Sequence, residues 1–223
     1  MMTEIAPLRI HLIRHGETKW SLSGRHTGTT DISLTARGEA EANDLAQRLT
    51  MIPFSRVLTS PRQRAQRTCE LVALDPIPEI AADLVEWDYG VYEGLPTDEI
   101  LQQRPHWDIF QDGGPKGETP AQISDRADRL IARLRGFSGN VAIFTHGHLG
   151  RVLATRWIGL PVSQGRHFLM GTASLSILGH DPHHPEVSVI ELWNAMTLRK
   201  TEPGSSVAIE RWENEGGEIP SQP

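Results

Sequence analysis

Short apolar runs, each closed by polar residues, recur along this chain and predict the strands of one sheet. Residues 8–13 (LRIHLI) alternate well enough for a strand, and residues 56–59 (RVLT) and 141–145 (VAIFT) are apolar runs of strand length. The first and last of these runs lead directly into a histidine followed by a glycine, at His15 and His146. Two histidines are therefore expected at the carboxyl ends of strands, where glycine allows a sharp departure from the sheet.

Helical patterns lie between these runs. Thr35 is placed to cap a helix from residue 36, and Ser60-Pro61 supplies an N-cap and a first-turn proline for a second. Thr119 and Gln122 form a capping box before a well-marked apolar helical face. Residues 149–157 fit one further helix, so helices and strands alternate along the chain.

The last part of the pattern completes the fold class. A short strand is predicted within residues 79–85, and two more over 173–178 and 187–193. Strands that alternate with helices indicate an α/β fold, here a three-layer α/β/α sandwich with a mostly parallel central sheet. We expect a single domain over residues 1–200 and a partly irregular C-terminal extension over 201–223.

Composition narrows the possible partners. With 38% hydrophobic and 22% charged residues, the chain of 223 residues is expected to form a packed core. Its net charge of -6 gives no general attraction to nucleic acid or to an anionic membrane, so an anionic substrate needs a local basic cluster. No leader segment or membrane helix is predicted, and the single cysteine, Cys69, fits a reducing compartment. We expect a cytoplasmic protein.

Such a basic cluster is predicted at one edge of the sheet. In open α/β sheets, ligands bind outside the carboxyl ends of the strands, and this is where the pattern places Arg14, His15 and His146. Arg64 can join them from the helix after the RVLT strand, because a guanidinium group matches phosphate oxygens in a bidentate way. Two arginines and two histidines predict a phosphate pocket.

Four motifs in order resemble the histidine phosphatase superfamily, the phosphoglycerate-mutase-like proteins. They are RHGET at 14–18, SPRQRAQRT at 60–68, LVEWDYGVYEG at 84–94 and FTHGHLGR at 144–151. The resemblance implies a phosphatase that requires neither a metal nor another cofactor and that acts on a small phosphorylated substrate. Four motifs in this order are far more specific than the RHG tripeptide alone.

The resemblance also implies a role for each catalytic residue. His15 is expected to attack phosphorus and become a phosphohistidine. Arg14, Arg64 and a protonated His146 are expected to balance the charge of the transferring group. Glu86 is expected to protonate the leaving oxygen and then to draw a proton from the attacking water.

A closer resemblance is to sedoheptulose-bisphosphatase-like sugar phosphatases, through WSLSGRHTGTTD at 20–31, EWDYGVYEG at 86–94, the region 107–119 and HGHLGR at 146–151. It implies a sugar phosphate or bisphosphate as substrate, with Arg151 holding a second phosphate or an acidic end. The remaining expected substrate-binding residues are Ser21, Thr27, Gly28, Gly147 and His148, among which Thr27 and Gly28 are expected to lend a hydroxyl and a backbone amide to the phosphate.

Alternative functions remain open on the sequence alone. A phosphoglycerate mutase would share the His15 intermediate, although many mutases have asparagine at the position of Ser21 and a longer insertion than residues 94–119. A phosphatase of phosphoproteins and a catalytically silent phosphate-binding module are the other candidates. A homodimer is possible, since many relatives associate.

For several other residues, a structural role is an alternative to a functional one. His11 is expected to be structural, the aromatic residues of the 84–94 loop are expected to anchor it, and a metal site is not expected at the histidines near Asp181. Four residues are equally compatible with an entrance to the site or with packing: Arg25, His26, Trp107 and Lys116. Arg62 and Arg67 are expected on the solvated surface.

Overall fold

A mixed six-stranded sheet lies at the centre of the computed structural model, which describes residues 6–196. Its strands are β1 (Arg9–Arg14), β2 (Phe54–Thr59), β3 (Glu79–Ile80), β4 (Asn140–Thr145), β5 (Leu175–His180) and β6 (Ser188–Ala195). They are ordered β3-β2-β4-β1-β5-β6. The first four in this order run parallel, and β5 and β6 are antiparallel to their neighbours.

The register of the parallel strands brings three chain segments to one level. Arg14 of β1 lies opposite Thr145 of β4, and Thr59 of β2 lies opposite Phe144 of β4. The next residues continue this pairing, because the His15 amide donates to Thr145 O at 3.0 Å. The sheet therefore presents the segments after β1, β2 and β4 side by side.

Seven helices connect the strands of the described chain. They are α1 (Lys19–Leu22), α2 (Ala36–Leu49), α3 (Gln63–Val72), α4 (Thr97–Gln103), α5 (Ile109–Asp112), α6 (Pro120–Leu134) and α7 (Gly147–Trp157). Short 3-10 helices span Ala82–Leu84, Gly90–Tyr92 and Val162–His167. Thr35 caps α2 and Thr119 forms a capping box with Gln122, so both predicted helix starts are confirmed.

Successive residues of the central strands face opposite layers, as the alternation of a strand requires. Ile13 and Phe144 pack into a cluster with residues of α2 and α3, whereas Leu12 and Ile143 pack into a larger cluster with residues of α6 and α7. Helices thus cover both faces of the sheet. The predicted three-layer α/β/α fold is confirmed.

Three of the predicted elements differ from the structure for an identifiable structural reason. Helix α3 begins at Gln63 rather than after Ser60, because the Ser60 side chain bonds to a histidine across the sheet instead of capping the helix. Strand β5 begins at Leu175, since Ala173 has a left-handed backbone with φ of 48° that no strand accommodates. The strand expected within residues 79–85 is reduced to Glu79–Ile80.

Three further expectations concern the C-terminal extension, membrane helices and the single cysteine. The extension expected over residues 201–223 is outside them. Within residues 6–196, no helix is both long enough and apolar enough to cross a bilayer. Cys69 is buried and unpaired, as expected.

A close backbone contact holds the segment after β1 against the first turn of α2. The Thr35 amide donates to Glu17 O at 2.9 Å, and the Thr35 hydroxyl donates to Glu17 Oε1 at 2.8 Å. A Cβ added at Gly38 would lie 2.2 Å from Glu17 O, and one at Gly16 would lie 2.3 Å from Gly38 O. Only glycine fits at both positions, so α2 fixes the path of the residues that follow His15.

We predict that Gly38→Ala destabilises the protein. In an exposed helix this change stabilises by up to about 1 kcal/mol. Here the added methyl group clashes with Glu17 O, and such overpacking costs about 1–3 kcal/mol. Urea unfolding measures the difference, and Gly136→Ala is the control because its new methyl group meets only Arg133 O, at 3.2 Å. Equal unfolding midpoints for the two variants would contradict the interpretation.

Candidate active site

His15 follows β1 and is buried, with 5% of its surface exposed. Its Nδ1 lies 2.7 Å from Gly16 O. A carbonyl oxygen only accepts, so Nδ1 carries a proton and donates it, and in the neutral ring the lone pair is on Nε2. Burial, followed by the positive charges of Arg64 and Arg14, holds the pKa of His15 well below its usual 6.5. The ring is therefore neutral at physiological pH, with an unprotonated Nε2.

His146 follows β4 and is completely buried, and its ring centroid lies 5.3 Å from that of His15. Its Nε2 is 2.8 Å from Ser60 Oγ, and its Nδ1 is buried with no hydrogen-bond partner among the described residues. Burial lowers the pKa of His146 well below 6.5, and the nearby Arg64 and His15 lower it further. Without a bound phosphate, burial and the neighbouring charges thus favour the neutral ring of His146 over the protonated ring that the resemblance implies.

Two arginines flank these histidines. The Arg14 guanidinium donates to Met170 O and packs on the start of α7, where a Cβ at Gly147 would lie 3.3 Å from Arg14 Cζ. Arg64 is completely buried, and it donates to Thr30 O at 3.0 Å and to Thr27 O at 2.9 Å. The Nε of Arg64 has no partner among residues 6–196. Both side chains are fixed by backbone carbonyls before any ligand binds.

The Glu86 carboxylate lies at the N-terminus of α7. Its Oε1 accepts from the amides of Trp87 at 2.9 Å and Leu149 at 2.8 Å, and its Oε2 accepts from the amide of His148 at 2.9 Å. A helix N-terminus favours negative charge, because its first amides have no partner within the helix. Three backbone donors thus hold the side chain of a residue that is only 6% exposed.

Arg126 holds the loop that carries Glu86. It is buried on α6 and donates to Asp83 O at 2.9 Å, Val85 O at 2.7 Å and Glu86 O at 3.3 Å. Its Nη2 also forms an ion pair with Glu118 at 2.6 Å. Arg126 was not among the site residues predicted from the sequence. Its position three residues after Ile123 puts a charged residue on the apolar face of α6, and this was the pattern that could have identified it.

A cleft opens over these groups, with about 690 Å³ of empty space that includes the open solvent at its mouth. Three expected catalytic residues line it: Arg14, His15 and Glu86. So do five expected substrate-binding residues: Ser21, Thr27, Gly147, His148 and Arg151. Arg64 and His146 do not line the cleft and are completely buried.

The expectation for Gly28 is not met in the structure. Its amide donates to both oxygens of the Glu93 carboxylate at 3.0 Å, and its carbonyl accepts from Arg64 at 3.3 Å. Glu93 also accepts from the Thr30 amide at 2.9 Å. The Gly28 amide is therefore engaged by Glu93, a residue of the 84–94 loop, and does not point to a phosphate.

Several residues beyond the expected set complete the wall of the cleft. Tyr89 was expected to be structural, but it lines the cleft, and its hydroxyl lies 2.7 Å from His148 Nδ1. His26 lines the cleft beside Tyr89, with ring centroids 4.7 Å apart, and burial lowers its pKa to about 4. Arg25 lies at the same wall. Burial likewise keeps the pKa of His148 well below 6.5, so the aromatic wall is uncharged.

The remaining candidates are structural in the described chain. His11 bonds to Asn140 at 3.2 Å, and the exposed Arg67 pairs with Glu39 at 2.8 Å. Trp107 is buried, and its indole donates to Gly113 O. Within residues 6–196, no group of three or more histidine, cysteine or acidic side chains is arranged to hold a metal ion, including the histidines near Asp181.

Arg62 differs from its expected place on the solvated surface. It is half-buried at the start of α3, and its Nε is buried without a partner in the described chain. Its charge contributes to the lowered pKa of His146. It is therefore close enough to His146 to affect it electrostatically.

Comparison with known proteins decides the family. The pattern of the histidine phosphatase superfamily (branch 1) matches residues 10–194. The chain belongs to the histidine phosphatase superfamily. It is 41% identical to an acid phosphatase of Mycobacterium tuberculosis over 188 residues, covering 82% of this chain and 92% of the relative. The resemblance to this family, the fold and the phosphatase activity inferred from the motifs are thus confirmed.

Two further similarities agree with this family. Sedoheptulose 1,7-bisphosphatase of Saccharomyces cerevisiae is 36% identical over 197 residues, which cover 73% of this chain and 72% of the yeast enzyme. The solved structure of the Rv3214 protein of Mycobacterium tuberculosis superposes with a TM-score of 0.80 at 38% identity, over 84% of this chain and 97% of that protein. This histidine phosphatase is an enzyme that acts on small phosphorylated substrates.

We predict that Arg126→Met lowers both stability and turnover. Breaking a buried ion pair costs about 3–5 kcal/mol, and the released loop no longer holds Glu86 in place. Thermal unfolding and the kcat for p-nitrophenyl phosphate measure the two effects. Arg129→Met on the same helix is the control, since its side chain is 63% exposed and lies 3.7 Å from Asp83. If both variants keep the wild-type kcat, Arg126 does not position the loop that carries Glu86.

Proposed function

We propose that this enzyme hydrolyses phosphate monoesters through a phosphohistidine at Nε2 of His15. The observation that carries the proposal is the hydrogen bond from Nδ1 to Gly16 O, which leaves the lone pair of a neutral ring on Nε2. In the first step Nε2 attacks phosphorus and the bond from phosphorus to the ester oxygen breaks. In the second step water attacks the phosphohistidine, inorganic phosphate leaves and His15 is restored.

The buried donors around His15 support phosphoryl transfer. The transferring group carries negative charge on three equatorial oxygens, which fixed donors stabilise. Arg64 Nε and His146 Nδ1 are buried nitrogens with no hydrogen-bond partner in the described chain, and such groups in a folded protein call for a ligand or water. Arg14 adds positive charge at the wall of the cleft. We assign these three side chains to the phosphoryl oxygens.

Glu86 is the proposed acid and base. Its Oε1 accepts from two amides, whereas Oε2 accepts only from His148 N, so Oε2 keeps a lone pair for a proton. In the first step the protonated carboxyl gives its proton to the leaving oxygen. In the second step the carboxylate takes a proton from the attacking water, which restores the starting state.

The rest of the cleft supports a sugar phosphate or sugar bisphosphate as the substrate. Arg25 and Arg151 supply positive charge at its wall, and Tyr89 and His148 supply neutral hydrogen-bonding groups for hydroxyls. The similarity to the yeast sedoheptulose bisphosphatase points to the same class. Ser21 and Thr27 are proposed as further contacts to the substrate. Release of inorganic phosphate, rather than its return to a second hydroxyl, separates this function from that of a mutase.

The domain bounds, the cellular location and the oligomeric state of the enzyme are also proposals. The family match over residues 10–194 supports a single domain within residues 1–200. Cys69 is a buried, unpaired thiol, which supports a cytoplasmic location. A homodimer is supported by β6, an outer strand of the described sheet, since an outer strand can pair with a second copy of the chain.

We predict that His15→Ala abolishes hydrolysis of p-nitrophenyl phosphate, because it removes the ring nitrogen that carries the phosphoryl group in the proposed mechanism. Wild-type enzyme quenched in alkali should contain a phosphorylated peptide that includes residue 15 and loses its phosphate in acid. His11→Gln, on the same strand, is the control and should keep the activity. Addition of a chelator should leave the wild-type rate unchanged. A folded His15→Ala variant with normal turnover would refute the mechanism.

We predict that Arg151→Met selectively impairs substrates with a second anionic group. The methionine keeps the packing of the side chain on Phe110, over which the guanidinium lies at 4.5 Å, but removes the charge. In a phosphate-release screen of sugar phosphates, sugar bisphosphates, phosphoglycerates and phosphoamino acids, kcat/KM for bisphosphates should fall by roughly 10- to 100-fold, as for loss of a charged hydrogen bond.

The control for this screen is Arg156→Met, because Arg156 lies on the same helix and pairs with Asp128 at 2.9 Å. It should not change the substrate preference. An equal loss for mono- and bisphosphates in Arg151→Met would exclude Arg151 as a second-anion contact. Preference for phosphoamino acids by the wild-type enzyme would exclude a sugar phosphatase.

A further inference from the structure

We propose that Ser60 is a positioning residue that fixes the tautomer of His146, so that His146 donates a hydrogen bond from Nδ1 to the transferring phosphoryl group. The inference rests on the proposed function and adds a residue and a proton position to it. Ser60 does not line the cleft, and it acts only through His146.

The register of the sheet places the two side chains together. Ser60 is completely buried directly after β2, and its amide donates to Phe144 O of β4 at 2.9 Å. His146 stands two residues further along that neighbouring segment. The resulting distance from Ser60 Oγ to His146 Nε2 is 2.8 Å, a normal hydrogen bond.

The direction of this hydrogen bond follows from the donors and acceptors around Ser60. The Arg62 amide donates to Ser60 Oγ at 3.3 Å. Within residues 6–196, the only other hydrogen-bond partner of this oxygen is His146 Nε2. A buried hydroxyl has one proton to donate, and Nε2 is the one place where that proton can go. Ser60 therefore donates and Nε2 accepts.

The proton of a neutral His146 must then be on Nδ1. This nitrogen is buried and has no acceptor in the described part of the protein, although an N–H group in such a place normally has one. The ring lies 5.3 Å from that of His15, where the phosphoryl group is transferred. A phosphoryl oxygen held at His15 is the acceptor that we assign to Nδ1.

The charges around His146 explain why a neutral donor suits this position. Arg64, His15, Arg14 and Arg62 all lower its pKa, in addition to the larger effect of burial. A protonated imidazole would add one more positive charge to a buried group of arginines. A neutral ring with a fixed Nδ1–H provides a directed donor without that repulsion, but only if Ser60 prevents the proton from residing on Nε2.

Nitrogen NMR of the histidine rings tests the tautomer directly. Protein labelled with 15N on histidine is compared with His146→Asn to assign the ring, at neutral pH without substrate. We expect the shift of a protonated nitrogen at Nδ1 and that of an unprotonated, hydrogen-bonded nitrogen at Nε2. The reverse pattern, or two protonated nitrogens, would overturn the proposal. This readout does not depend on activity, so it is separate from the test of the phosphohistidine mechanism.

Ser60→Ala tests the consequence for turnover, with Ser174→Ala as the matched control. Ser174 is also completely buried, but its hydroxyl has no hydrogen-bond partner in the described chain. In Ser60→Ala the Nδ1–H tautomer should lose population, and kcat for p-nitrophenyl phosphate should fall by roughly 10- to 100-fold, with KM changed far less. Ser174→Ala should keep the wild-type kcat and the wild-type His146 shifts.

Comparison of the two variants distinguishes a folding defect from loss of the proposed positioning of His146. Ser60→Ala leaves His146 Nε2 and the Arg62 amide without this partner and should lose more stability in urea than Ser174→Ala, so kcat is compared for folded protein only. A kcat for Ser60→Ala equal to that of Ser174→Ala, with unchanged His146 shifts, would overturn the proposal. A wild-type protein that shows the expected tautomer but does not form phosphohistidine would instead refute the proposed mechanism.

Discussion

The parallel register of β4 between β1 and β2 is the constraint on which the active site depends. Because Arg14 is level with Thr145, and Thr59 with Phe144, the chain leaves the three strands at the same height. His15 and His146 therefore face each other from neighbouring strands, with Ser60 beside them. A register shift of one residue in any of these strands would turn its side chains to the opposite face of the sheet.

Burial of like charges gives this site its chemical character. The chain as a whole carries a net charge of -6, yet Arg14, Arg64 and half-buried Arg62 lie around two buried histidines. Burial, together with the charges of Arg64 and Arg14, depresses the pKa of both histidines, so both rings are neutral at physiological pH. The cost of holding these groups together is offset when a dianionic phosphate binds, because the arginines then surround a group of opposite charge.

Long-range contacts then fix each group in place. Glu86 is held by amides of α7, and its loop is held by Arg126 of α6. The segment after His15 is held by Gly38 of α2. Each helix that covers the sheet thus also positions one part of the site, so the packing that stabilises the fold is the packing that orders the catalytic groups.

The sequence by itself determined the elements that carry the chemistry. Periodicity, capping residues and glycine positions identified β1, β4, α2 and α6, and the ordered motifs identified His15, Arg64, Glu86 and His146 as one set. These signals are local, because a strand's alternation or a capping box is contained within a few neighbouring residues. For the same reason they were reliable without knowledge of the rest of the chain.

Only the tertiary structure decided which groups those residues contact. Ser60 was interpreted as a helix cap and Gly28 as a phosphate ligand, but their hydrogen-bond partners lie on other segments of the chain. Arg62 was interpreted as a surface residue, but it is half-buried. The protonation of His146 likewise depends on burial and on charges from four separate positions. Hydrogen-bond partners and electrostatic fields are set by distances between segments far apart in the chain, and those distances exist only once the sheet and its helices have packed.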